Sequence, residues 1–353
     1  TLADYGTVQY FGISTFTTGI YRTWNGLGSS IGAAQLSALL LGFVFVLVSL
    51  EAWSRQQSQF FNTGARNRPS TPGTLRGLSL CLAYAVCGLP VLLGFVVPFM
   101  QLLVWASITY DTILTRDFAG YLFNSVTLAA ITAIAALGLA LFIAYGKRVF
   151  PSQLTRASSR LVGLGYALPG TVVAIGVLVP FAWFDNRLSE FMVATFDYNT
   201  GLLLSGTVFI LVFAYLVRFL PIALNTVDAG LAKIRPSMDE TGRSMGFSPA
   251  ALLRRVHIPI MRGSLATALL LVFVDVLKEL PATLLLRPFN FNTLAIRTYE
   301  LANEERLADA AGPALAIVLA SLIPVILLSR TLRQAGEAPS SLPQGSSISD
   351  ESK

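Results

Sequence analysis

Three charged side chains near residue 277 are the first place where this sequence could do chemistry. Asp275, Lys278 and Glu279 lie in a long apolar run, where an ionised group at mid-bilayer depth costs about 2.5 kcal/mol or more. At spacings of three and four they share one face of a helix, and Lys278 is placed to pair with Asp275. Two readings stay open: a self-satisfied ion pair packed in a bundle, or carboxylate oxygens set along a ligand path. The single histidine, His257, excludes a multi-histidine metal site and an imidazole proton relay, and reads as a polar residue at a membrane interface. Cys81 and Cys87, six apart in one apolar run, are neither a metal-ligand cluster nor a disulfide framework. Arg218, in "YLVRFLPIAL", reads as a snorkelling side chain near the end of a span. No metal site, cofactor or catalytic group follows from these residues. No Gly-x-x-x-x-Gly-Lys-Ser/Thr segment occurs either, so any ATP hydrolysis belongs to a partner.

The elements that hold these side chains are membrane helices. Of 353 residues, 54% are apolar and 12% charged, and the mean hydropathy is +0.65, far from the profile of a soluble domain. Seven runs are long and apolar enough to cross a bilayer: 31–52, 78–105, 120–146, 161–184, 202–223, 264–286 and 313–332. Lysine and arginine gather in alternate loops: Arg55, Arg66, Arg68 and Arg76; Lys147, Arg148, Arg156 and Arg160; Lys233, Arg235, Arg243, Arg254, Arg255 and Arg262. By the positive-inside rule these loops are cytoplasmic, the chain starts outside and its tail ends inside. The net charge of +6 is therefore spent on lipid and topology and does not point to nucleic acid. The loops 106–119, 185–201 and 287–312 are poorer in basic residues and face outward.

Between the fifth and sixth runs stands a polar segment, "DETGRSMGFSPAALLRRVHIP", Asp239 to Pro259. Gly246 suits the left-handed residue that closes a helix. Ser248 suits a cap with Pro249 at the first position of the next helix. Two short helices joined at glycine are expected, with Ala250, Leu253 and Arg254 on one face and Pro259 stopping the second helix at the bilayer surface. On physics alone the segment is either an amphipathic interfacial helix with snorkelling arginines or a docking knob for a cytosolic partner.

The chain also resembles itself. "FTTGIYRTW", Phe16 to Trp24, returns as "FNTLAIRTY", Phe291 to Tyr299, and the same offset of 275 carries Ser54-Arg55 onto Ser329-Arg330. Residues 1–55 therefore read as the end of a first repeat, 56–77 as a cytoplasmic linker, 78–335 as a complete second repeat of six spans, and 336–353 as a disordered tail. The chain begins at Thr1 with no initiator methionine, basic leader or signal-type cleavage site, and so is expected to start inside a longer protein.

The polar segment resembles the EAA loop of ATP-binding-cassette importer permeases: Glu-Ala-Ala, three residues, Gly, nine residues, then Ile-x-Leu-Pro. Here it reads Glu240-Thr241-Gly242, then Gly246, then Val256-His257-Ile258-Pro259. Thr241 and Gly242 replace the two alanines, and Val256 and Ile258 the two aliphatics. The stretches Lys278 to Glu300 and Thr1 to Trp24 resemble segments of the fused, double-length permeases for ferric iron, with this chain as the C-terminal portion. The resemblance implies an all-α, polytopic bundle of the type I importer kind in a bacterial inner membrane. It also implies two cytosolic ATPase subunits, a periplasmic iron-binding protein and Fe³⁺ as cargo. The coupling residues would be Glu240, Gly242, Gly246, Ser248, Pro249, Ala250, Arg254, Arg255, Ile258 and Pro259. Glu279, with Asp275, Lys278 and the corresponding Asp4, would lie along the path, and the outward-facing Arg22 and Arg297 would either contact the binding protein or anchor their loop. Related permeases carry thiamine, polyamines or sulfate, which stand as alternative cargoes. An ion-coupled secondary transporter fits less well, because it would need more buried titratable groups and no docking loop.

Overall fold

The computed structural model describes residues 3–56, 76–113 and 116–336, all in helices or the turns between them. Most of the expected linker and tail, 57–75 and 337–353, lies outside the described residues. Among those described, seven helices can cross a membrane: Ser30–Glu51, Leu78–Ile108, Asp117–Val149, Gly170–Phe196, Val208–Ala232, Pro249–Leu277 and Leu307–Ile326. They are the first to seventh spans below.

The fourth and sixth spans differ from the hydropathy reading, and proline explains both differences. Pro169 disfavours helical backbone at the residue before it, and Leu168 and Pro169 are extended, with ψ of 132° and 143°. The expected run 161–184 is therefore split. A separate amphipathic helix, Gln153–Gly163, is capped by Ser152, and the span begins at Gly170. It also runs on to Phe196 through Asp185, which the apolar count assigned to an outer loop. Asp185 is 1% exposed, because its carboxylate accepts the backbone N–H groups of Leu204 and Ser205 and the Ser205 hydroxyl.

In the sixth span the helix starts at Pro249 and ends at Leu277, rather than running 264–286. Pro281 has no N–H to return to the Leu277 carbonyl, Lys278 leaves the helix at φ −96°, ψ 2°, and a new short helix forms at Pro281–Leu286. The expectation of Asp275, Lys278 and Glu279 on one helical face is thus corrected. Lys278 does pair with Asp275 at 2.8 Å, while Glu279 sits in the break.

The bundle's centre is organised by small residues. Ala129, Ala133, Ala136, Ala140 and Ala144 form a fully buried stripe at three-to-four spacing along the third span. A stripe without bulk lets the fifth and sixth spans close on it, and both pack there around Leu211, Tyr215, Leu265 and Val272. A second cluster, with Ile20, Ala33, Leu40, Val172 and Ile175, joins the first span to the fourth. The second span buries none of its residues and touches the seventh span through Val97–Ile108, leaving an apolar surface of the kind lipid covers. The order Gly6–Tyr10, Phe16–Tyr21, Ser30–Gln56 returns as Pro281–Leu286, Leu294–Asn303, Leu307–Gly336, roughly 275 residues later.

Candidate functional site

The polar segment folds as two short helices meeting at a glycine. The first, Pro236–Ser244, opens with Pro236 at its first position and Asp239 in its first turn, both suited to a helix N-terminus. It closes when Phe247 N–H donates to the Gly242 carbonyl and Gly246 N–H to the Arg243 carbonyl, each at 3.0 Å. This pair of bonds needs a left-handed residue between them, and Gly246 supplies it at φ +81°. Ser248 Oγ then accepts the Ala251 N–H at 3.3 Å, and the second helix starts at Pro249.

That second helix does not stop at Pro259, as the sequence suggested. A π turn over Leu253–His257 widens the backbone, so the missing N–H of Pro259 breaks no regular ladder and the chain enters the sixth span directly. Gly242, one of the two departures from Glu-Ala-Ala, has a packing reason. A Cβ there would stand 2.5 Å from Leu252 Cδ1, so glycine lets the second helix lie against the first. Glu240, Gly246, Ser248, Pro249, Ala250, Arg254 and Arg255 are exposed on the loop, while Gly242 is buried and Ile258 half-buried.

Behind the loop lies a set of anchors that the sequence did not reveal. Arg148, at the C-terminal end of the third span, donates from Nε to Asp239 Oδ2 at 2.6 Å, and from its other nitrogens to the carbonyls of Leu231 at 2.7 Å and Ile234 at 3.0 Å. His257 is 0% exposed, not interfacial. Its Nδ1 is 3.1 Å from the Leu252 carbonyl, and its Nε2 stands 2.7 Å from Asp239 Oδ1, in ion-pair range though not aligned as a hydrogen bond. Tyr145 donates its hydroxyl to the Pro249 carbonyl at 2.7 Å and sets its ring edge-on to His257 at 5.4 Å. Lys147 pairs with Asp228 on the fifth span. Only the i, i+3 pattern of Tyr145 and Arg148 at a span end hinted at this; nothing local names their distant partners.

A second charged junction lies inside the bundle. Arg218 does not snorkel: Nη1 donates to Glu279 Oε1 at 2.7 Å, with the side chains 13% and 5% exposed. Glu279 Oε1 also accepts the Ala282 N–H at 3.2 Å, and Thr283 links its hydroxyl to the Glu279 carbonyl at 2.6 Å. The pair sits against Gly170, where a Cβ would stand 2.1 Å from Arg218 Nη1 and 2.4 Å from Glu279 Oε1. Two helix breaks, at Leu168–Pro169 and Lys278–Leu280, therefore meet at one ion pair. Among the described residues no group of three or more His, Cys, Asp or Glu side chains converges to hold a metal ion.

With this geometry in view, the family described as binding-protein-dependent transport system inner membrane component matches residues 136–334, more than half of the chain. The chain belongs to this family. It is accordingly a multi-pass inner-membrane transport subunit, and the family is one of permeases, not enzymes. The Fe(3+)-transport system permease protein FbpB 2 of Haemophilus influenzae is 28% identical over 333 residues, 93% of this chain and 63% of that protein. The chain thus spans less than two thirds of that relative's length. The maltose/maltodextrin transport system permease protein MalG of Escherichia coli is 30% identical over 213 residues, 59% of this chain and 66% of that one. A bacterial ABC transporter involved in the import of the acidic polysaccharide alginate has the same fold, with a TM-score of 0.58 at 16% identity, covering 72% of this chain and 95% of its own. The permease is an all-α bundle of the ABC importer kind.

Near the start of the permease, Asp4 Oδ1 caps the first short helix through Thr7 N–H at 3.4 Å, and Thr17 donates to the Asp4 carbonyl. Neither contact involves Glu279. Tyr5 is buried, with its hydroxyl 3.2 Å from that of Tyr299, and burial together with that bond pushes its phenol far above the ordinary range. Arg297 lies 3.6 Å from Glu300, which also holds Arg287, while Arg22 is exposed.

Proposed function

We propose that this permease carries ferric iron inward, handed over by a periplasmic iron-binding protein and driven by two cytosolic ATPase subunits, one of which docks on the loop Asp239–Pro259. The observation that carries the reading is the loop itself: a glycine-jointed pair of short helices, exposed on the face that bears Glu240, Pro249 and Ala250, and tied internally by buried polar groups. The iron assignment is supported by the 28% identity to an Fe(3+)-transport permease. Residues 1–55 would be the end of one repeat and 78–335 the whole of the second. Arg254 and Arg255 would meet acidic ATPase groups or lipid headgroups, with Gly242, Gly246, Ser248, Ile258 and Pro259 holding the loop in shape. Along the path, Glu279 would meet the cation only by leaving Arg218, with Asp275, Lys278 and Asp4 nearby in the route. Arg22 and Arg297 would contact the binding protein.

The test is uptake of radioactive ferric iron into proteoliposomes holding the full-length permease, its ATPase and the iron-loaded binding protein. ATP-dependent uptake is expected, and it should be abolished by Gly246→Pro, because proline cannot adopt φ +81°, and by Glu240→Arg. Uptake that survives both changes would refute the docking assignment. ATPase stimulation by another loaded binding protein, but not by the iron-loaded one, would refute the cargo.

A further inference from the structure

We propose that the cytoplasmic end of the third span, through Tyr145 and Arg148, takes up the movement of the docking loop and passes it into the bundle. This rests on the reading of the loop as an ATPase dock. The loop has two covalent exits. Toward the fifth span the chain turns at Lys233–Arg235, and toward the sixth it passes the π turn Leu253–His257. The first is a break between helices, whereas the second runs on into the sixth span as one helix with a π turn in it.

A third, non-covalent exit leads to the third span. Arg148 binds Asp239 on the first loop helix and, with the same planar fork, two carbonyls at the end of the fifth span. Tyr145, one turn earlier on the same face, holds the first carbonyl of the second loop helix at Pro249 and braces His257, which closes back onto Asp239. Two adjacent turns of one helix therefore grip both arms of the loop. That helix, Arg116–Val149, is continuous and carries the buried alanine stripe on which the fifth and sixth spans pack. A displacement of the loop moves a rigid rod at the centre of the bundle.

Arg148 and Tyr145 are positioning residues, so the decisive readout is iron taken up per ATP hydrolysed, not protein level. In the assembled transporter, Arg148→Gln is expected to keep the ATPase bound through co-purification while uptake per ATP falls about tenfold, within the range for residues that couple distant sites. Tyr145→Phe, which deletes one hydroxyl and keeps the ring, should lower it about threefold at normal protein level. The charge exchange Arg148→Asp with Asp239→Arg should recover part of the loss. Uptake per ATP within twofold of wild type in Tyr145→Phe and in any folded Arg148 variant overturns the proposal, as does loss of ATPase binding in Arg148→Gln, which would make the residue a support for the docking surface. A wild-type permease that binds no ATPase sinks the docking reading itself, a result separable from either of these.

Discussion

At the loop junction Arg148 uses its fork on three acceptors from two segments, at the carbonyl end of the fifth span. At the interior junction Arg218 has one charged partner, Glu279, and its Nε is buried without an acceptor. Both are arginine–carboxylate pairs at helix ends, yet their energetics differ. The first arginine has acceptors that offset its desolvation, with the carbonyls of Leu231 and Ile234 adding the negative end of a helix to the carboxylate, while Asp239 Oδ1 and His257 Nε2 lack an aligned hydrogen bond. The second has one guanidinium–carboxylate hydrogen bond, with the Ala282 N–H as the carboxylate's other donor, in a setting where desolvation of each ion costs several kcal/mol. An arginine with three acceptors fixes a geometry, whereas one with a single acceptor makes the stability of its surroundings hostage to either partner.

The sharpest way to break this comparison is to remove one arginine at a time. Arg218→Met should leave Glu279 buried and unpaired and cost about 3–5 kcal/mol, with Arg218→Met plus Glu279→Leu recovering much of it. Arg148→Met, at a site closer to water, should cost about 1.5–3 kcal/mol. Thermal unfolding of the purified permease in detergent measures all three. Equal losses at the two arginines would show that the interior pair is not the more exposed weakness. Next in size is Gly170→Ala, expected to cost about 3 kcal/mol at the upper end of overpacking, because its Cβ would displace the pair itself. Gly176→Ala, on the same span with nothing within 4 Å of its Cβ, is the control and should be neutral or stabilising by about 0.5–1 kcal/mol.

The cytoplasmic region was far more legible in the sequence than the interior one. Gly246, Ser248 and Pro249 announce the loop because helix closing and restarting are decided by backbone chemistry within a few residues. Hydropathy and basic loops likewise place seven spans, since both are local sums. Arg218 and Asp185 were misread for one reason: a charge inside an apolar run looks like its end unless the partner is known, and Glu279 and Ser205 are distant or across a turn. His257 was misread as interfacial because the Asp239, Tyr145 and Leu252 groups around it come from three elements. Pro169 and Pro281 were visible, but whether a proline kinks a membrane helix or ends it depends on whether neighbours satisfy the freed carbonyls.

Within the loop, Gly242 and Gly246 offer a finer form of the comparison, packing against backbone shape. Gly242→Val would drive a branched side chain into Leu252 and should cost about 1–3 kcal/mol. Because the contact joins the two short helices, the loss should appear as weaker ATPase co-purification, and Leu252→Ala in the same chain should restore part of it. No restoration would mean that Gly242 matters for something other than its closeness to Leu252.

Among the loop changes, Gly246→Asn and Gly246→Ala should give the smallest effects and the cleanest interpretation. A Cβ there meets nothing within 4 Å, so alanine adds no clash and only strains a backbone held at φ +81°, at a cost of about 1–2 kcal/mol. Asparagine tolerates the left-handed region better than alanine. Gly246→Asn should therefore couple uptake to ATP hydrolysis almost as wild type does, with Gly246→Ala about twofold lower. The order Gly, Asn, Ala follows if the joint's role is to set the angle between two helices. If asparagine proves as damaging as alanine, the ATPase must approach the bare glycine backbone itself, and the joint would be part of the docking surface as well as its hinge.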